Sequence, residues 1–137
     1  MKSIISLTLI IAALSVTSCC KKRETLQVSE VRLKYIEYRA TKVVFDIRTK
    51  KNNIEEIIDT IKLYGKSQYP YWNSPDLEIQ LFLDEGKYDH ILMTPDSSRV
   101  DTISKINVIR DKCDKIETQE IYWNGEYTTE TYFEITK

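Results

Sequence analysis

The chain has 137 residues, with 20 Lys and Arg against 21 Asp and Glu and a single histidine, for a net charge of −1. Its charges are spread without a sustained basic stripe, which argues against nucleic acid as a partner. One histidine and three cysteines without Cys-x-x-Cys spacing argue against a zinc site, and three glycines leave no phosphate loop, dinucleotide fingerprint or Gly-x-Ser-x-Gly elbow, so no cofactor is implied.

The chain opens on an export pattern. Met1-Lys2-Ser3 carries one positive charge, and Ile4 to Val16 then runs 13 residues without another. A charged start favours the cytoplasmic side while the apolar core is translocated. The core falls short of the ~20 apolar residues a helix needs to cross a bilayer. It therefore reads as a cleavable signal peptide, residues 1–18, rather than a permanent span. Val16-Thr17-Ser18-Cys19 resembles the lipobox of bacterial lipoproteins, in which an aliphatic residue and two small ones precede a modified cysteine. The resemblance implies a diacylglycerol on Cys19, cleavage between Ser18 and Cys19, and the membrane as a partner through acyl chains. It covers the first 19 residues only. The tether, residues 19–25, continues with Lys21-Lys22-Arg23, whereas lipoproteins sent to the cell surface often carry acidic residues there. The expected placement is the cell envelope, on the outer membrane facing the periplasm, with surface exposure as the alternative.

If Cys19 is acylated, Cys20 and Cys113 are the two thiols left to pair in an oxidising compartment. Cys113 lies in the hydrophilic run Arg110-Asp111-Lys112-Cys113-Asp114-Lys115, which reads as a turn. The alternative is two free thiols.

From Leu26 to the end, residues 26–137 read as one β-rich domain. Leu26, Val28, Val31, Leu33 and Tyr35 give a first strand with a phase change near Ser29-Glu30, the signature of a bulge. Val43, Phe45 and Ile47 alternate with Val44, Asp46 and Arg48 over Lys42–Thr49. Asn53 to Glu56 resembles a helix start, with Ile54, Ile57, Ile58 and Ile61 at helical spacing. Asp59 to Tyr64 alternates like a strand, so a short helical turn near 54–58 leading into a strand at 59–64 is expected. Gly65 to Asp76 is a connection rich in turn formers. Leu77–Leu83 and Tyr88–Met93 are expected to pair as a hairpin around Asp84-Glu85-Gly86-Lys87, and Val100–Ile109 carries Ile103, a shift, then Ile106 and Val108. Near the end, Asn124-Gly125 separates two alternating runs, the preferred pair for a two-residue hairpin loop. That register sets Trp123 opposite Glu126, Tyr122 opposite Tyr127 and Ile116 opposite Phe133. Ile116, Tyr122, Tyr127, Phe133 and Ile135 are the expected core face, and Ile121, Trp123 and Tyr132 the half-exposed one.

Seven or eight short strands with turns about every ten residues predict an antiparallel β-sandwich, immunoglobulin-like or transthyretin-like in shape. A small β-barrel is the alternative. The candidate binding residues are Tyr69, Tyr71 and Trp72 in the long connection, with Trp123. Such rings present flat apolar faces with a polar tip, suited to a sugar or a protein partner; the competing reading has them folding back over the end of the sandwich. Asp84, Glu85, Asp89 and His90 bring three carboxylates near one histidine, but in a hairpin turn these read as solvated charges. Asp96 to Asp101 lacks the ligand alternation of a calcium loop. The function expected is a non-catalytic, lipid-anchored binding module for an envelope protein or glycan. A β-barrel carrier of an apolar ligand is the alternative, although the large Ile, Leu and Phe at inward positions would fill its cavity.

Overall fold

A computed structural model describes residues 27–66 and 74–136. Among them nine strands form two sheets: β1 (Glu30–Tyr35), β2 (Val43–Lys50), β3 (Asn53–Tyr64), β4 (Leu77–Phe82), β5 (Tyr88–Met93), β6 (Val100–Arg110), β7 (Ile116–Trp123), β8 (Glu126–Thr128) and β9 (Tyr132–Ile135). One sheet has the order β4-β1-β9 and the other β3-β2-β5-β6-β7-β8. The protein is all-β, a sandwich of two separate sheets. The small barrel considered as an alternative is not formed, because neither strand order returns on itself.

Alternation decides what is inside. In the small sheet Val31 pairs with Leu81, Leu33 with Ile79 and Tyr35 with Leu77, and all six are buried. The large sheet answers with Val44, Leu92, Ile103, Ile106 and Ile121. The three-residue step from Ile103 to Ile106 works because Lys105 has φ +49° and the ladder shifts between Ser104 and Asn107, so both isoleucines point inward. On β2 the inward residues are Val44 and Asp46, while Phe45 and Ile47 are half-buried on the outer face.

Leu77–Leu83 and Tyr88–Met93 are not the hairpin pair expected: β4 pairs with β1 in the small sheet, and the chain crosses at Asp84–Gly86 to the large sheet, where β5 pairs with β2 and β6. Two further expectations are corrected. Residues 54–58 are not a helical turn; β3 is one continuous strand from Asn53 to Tyr64. The side-chain oxygen of Asn53 accepts a hydrogen bond from the Glu55 N–H at 3.3 Å, a local turn that opens the strand. The helical spacing of the isoleucines is broken by a register shift against β2, which pairs Arg48 with Asp59 but Thr49 with Ile57 and leaves Ile58 as the extra residue. β3 is an edge strand with Ile57 61% exposed; Glu55, Glu56, Asp59 and Lys62 place charge along it, a usual guard against strand-to-strand aggregation.

The second correction concerns the last hairpin. Its turn and register are as expected, with Asn124 at φ +51° and Gly125 at φ +84°, Trp123 opposite Glu126 and Tyr122 opposite Tyr127. The pairing of Ile116 with Phe133 does not occur. β8 ends at Thr128, and the chain crosses to the other sheet, where β9 lies parallel to β1 and sets Phe133 beside Leu33. Within β7 and β8 the faces are reversed: Ile121 is fully buried and Tyr127 is 57% exposed. On β9 they are as expected, with Ile135 buried, Phe133 packed against the core and Tyr132 outside. Tyr122 and Tyr127 meet edge to face on the outside, with ring centroids 5.9 Å apart.

Gly86 follows β4 in a turn with φ +78°, and a Cβ built there would stand 2.6 Å from the carbonyl oxygen of Ile106. Backbone strain and the clash act together, so Gly86→Ala is expected to lower the unfolding free energy by about 3 kcal/mol. Urea denaturation of the variant checks this; a loss below about 0.5 kcal/mol, the scatter of neutral surface changes, would show that the turn relaxes freely.

Candidate functional site: an open groove between the sheets

The crossing from β8 to β9 leaves each sheet with a short uncovered edge. β8 pairs only with residues 121–123 of β7, and β9 only with residues 32–35 of β1. Below the crossing, the first residues of both strands therefore lack a neighbour on that side. They wall an open groove of about 800 Å³, lined by Val28, Glu30, Arg32, Ile116 and Gln119, with Thr129 and Thr131 at its upper end.

The backbone direction on each wall follows from the ladders. In β1 the N–H of Arg32 donates to Thr131 O at 2.8 Å and that of Ile36 to Ile135 O at 2.8 Å. The period of two carries this row on to Glu30, whose N–H faces the groove. In β7 the two-residue turn makes Trp123 and Glu126 a hydrogen-bonded pair, so Trp123, Ile121 and Gln119 turn their backbone groups away from β6. One side chain bridges the walls: Nε2 of Gln119 donates to Glu30 O at 2.9 Å. At the rim Tyr132 is 48% exposed. Its hydroxyl donates to Oε1 of Glu134 at 3.1 Å. Partial desolvation first, and that hydrogen bond second, hold its pKa above the ordinary phenol range. The ring thus offers a neutral hydroxyl and an apolar face.

A second cluster of polar side chains is interior. Nδ1 of His90 lies 2.8 Å from Oδ1 of Asp46, and both side chains are completely buried. A carboxylate only accepts, so Nδ1 carries the proton. The other oxygen of Asp46 faces Nε of Arg48 at 3.6 Å, and Nη1 of Arg48 reaches Asp84 at 3.4 Å. The Arg48 guanidinium also lies over the Tyr88 ring, 5.3 Å from its centroid. On β6, in the same register row as Asp46 with Leu92 of β5 between them, Asp101 accepts two hydrogen bonds from Arg99, at 2.9 and 2.8 Å, and one from Nδ2 of Asn124 at 2.8 Å. Its hydrogen bonding to Arg99 raises the Arg99 pKa above its ordinary value. Burial first and the charge of Asp101 second push the Tyr35 hydroxyl well above the usual phenol range.

The residues singled out from sequence fare differently. Trp123 is half-buried and stacks on Phe133 with centroids 4.4 Å apart and planes 12° from parallel, so it packs against the core. Tyr69, Tyr71, Trp72, Ser18, Cys19 and Cys20 lie outside the described residues. Cys113 is disulfide-bonded. His90, expected among solvated charges of a turn, is 0% exposed, and its carboxylate partner is Asp46 rather than a neighbour in sequence. Asp46 did carry a signal: an aspartate flanked on each side by apolar residues within one strand. Among the described residues no group of three or more His, Cys, Asp or Glu is placed to hold a metal ion. Comparison of the chain with known protein families, with curated proteins and with solved structures finds no match.

Removing one member of a buried pair leaves the other uncompensated, which costs about 3 kcal/mol or more. Asp46→Ala is accordingly expected to reduce stability by about 3 kcal/mol in urea unfolding while leaving the groove intact. A near-neutral change would mean that the interior charges rearrange without loss.

Proposed function

We propose that the chain is an exported lipoprotein, anchored through acyl chains on Cys19 to the outer membrane and facing the periplasm, whose domain is a non-catalytic module that binds an extended polypeptide. The observation that supports the binding reading is the pair of uncovered strand edges at one groove. An extended segment added beside Glu30 would accept from the Glu30 N–H, take the place of the Gln119 side chain at the Glu30 carbonyl, and set its alternate side chains against Val28, Ile116 and Tyr132. Main-chain hydrogen bonds supply affinity in this mode, and pockets for alternate side chains supply selectivity. A carrier of an apolar ligand is disfavoured, because Leu33, Ile79, Leu92, Ile103 and Ile121 fill the interior. A catalytic role for His90 is disfavoured by its complete burial.

The anchor and the groove are tested separately. Intact-mass spectrometry of the exported protein should find an acylated Cys19 as the first residue; an unmodified N-terminus sinks the anchoring. For the groove, seven-residue peptides displayed on phage are selected on the domain. A selected peptide should lose affinity at least 10-fold, about 1.4 kcal/mol, when Thr129→Trp fills the groove, and likewise when N-methylation removes its backbone donors. Unchanged binding to Thr129→Trp would remove the groove from the function, and indifference to N-methylation would remove strand addition.

A further inference from the structure

We propose that Cys113 is bonded to Cys20, and that this bridge seats the domain on its own membrane anchor by the turn that joins β6 to β7. The inference rests on the reading of Cys19 as the acylated residue and goes beyond it to the orientation of the domain.

The chain has three cysteines, Cys19, Cys20 and Cys113, and Cys113 is disulfide-bonded. Within one chain its partner is Cys19 or Cys20. Acylation turns the Cys19 sulfur into a thioether with no thiol to oxidise, which leaves Cys20. Bridge formation joins the two sulfurs and releases a proton and an electron from each thiol. A disulfide-bearing oxidant of the exporting compartment accepts both electrons and both protons and leaves as a dithiol.

The described residues prepare this pairing from both sides. Asp111 organises the turn: its Oδ1 accepts from the N–H of Cys113 at 2.8 Å and from that of Lys115 at 2.9 Å, and its own N–H donates to Lys115 O at 2.8 Å. Gln27, where the described chain begins, is fastened to the two flanks of the same turn. Nη2 of Arg110 donates to Gln27 O at 2.6 Å, and the Ile116 N–H donates to Oε1 of Gln27 at 2.9 Å. Arg110 is itself held by Glu85 and by the Asp114 carbonyl. The seven peptide steps from Gln27 back to Cys20 span at most about 24 Å, ample to return to a turn that Gln27 already touches. A bridge from Cys20 to this turn is therefore within reach, and it would make the acylated residue the immediate sequence neighbour of the bridge. The Asn124-Gly125 turn and Lys42 lie at the far end of the strands, roughly 30 Å from the Cys113 turn along β6.

The test uses the full precursor, exported and isolated without reductant after thiol blocking. Trypsin cuts after Lys21, Lys112 and Lys115, so the bridge yields acylated Cys19–Lys21 joined to Cys113–Lys115. Blocked Cys113, Cys113 joined to Cys19, or Cys113 joined to a second chain each overturns the pairing. A Cys20–Cys113 bridge beside an unacylated Cys19 overturns the seating and the anchor reading together, while leaving the pairing in place. Orientation is read on vesicles of phosphatidylethanolamine and phosphatidylglycerol carrying the acylated protein. Lys115 should react with a water-soluble amine reagent several-fold more slowly than Lys42, and Cys20→Ser should abolish that difference while acylation persists. Equal labelling of the two lysines in the wild type overturns the seating.

Discussion

The parallel pairing of β9 with β1 is the constraint on which the rest of the structure depends. To reach it the chain abandons the hairpin at Thr128, crosses from the large sheet to the small one, and enters β9 in the direction of β1. The crossing fastens the C-terminal end of the domain beside its first strand, and Ile135 and Phe133 complete the core next to Tyr35 and Leu33. The same departure strips β7 of its partner below Ile121 and leaves the start of β1 without one. Groove and fold closure are thus two consequences of one change of sheet.

The inner face of the large sheet carries two polar clusters among its apolar side chains. Buried Asp46 and His90 with half-buried Arg48 form one on β2 and β5, and buried Asp101, held by half-buried Arg99 and exposed Asn124, forms the other on β6, with Leu92 between the two aspartates. Burying ions is expensive unless they are paired, and a buried pair adds little net stability over apolar residues of the same volume. What it does add here is register. Sliding β2 by one residue against β5 would separate Asp46 from His90 and strand two polar groups inside, on top of moving every apolar side chain to the wrong face. The Asp101–Asn124 bond does the same for the last hairpin. It ties the turn residue to β6, and the Asn124 N–H and side-chain oxygen pair with Thr102 as well.

Much of the strand layout was legible because a two-residue period and a turn are local properties. The strands at 43–50, 77–82 and 88–93, the shift after Ile103 and the Asn124-Gly125 turn all follow from neighbours in sequence. What was illegible depends on distant partners. The helical spacing of Ile54, Ile57, Ile58 and Ile61 says nothing of the ladder that β2 offers, and β2 prevails. The hairpin faces were misassigned by weighing aromatic rings: Tyr122 and Tyr127 find each other outside, whereas the smaller Ile121 fits between the sheets. His90 was placed with its sequence neighbours, although Asp46 is 44 positions away. The groove left no local trace at all, since it is defined by where β8 and β9 stop.

The groove and the turn that carries Cys113, finally, are neighbours. Val28 and Ile116 line the groove, and Gln27 and Ile116 hold the turn that carries Cys113. Were that turn seated at the membrane as proposed, the lower mouth of the groove would open beside the lipid headgroups, with its upper mouth at Thr129 and Thr131, and a chain lying along the membrane surface would be the partner within its reach. The bridge would then serve the binding: by fixing how the domain stands, it keeps the uncovered edge of β1 at the one height where an extended juxtamembrane segment can reach it, and it spares that encounter the entropy of a domain tumbling on a free tether.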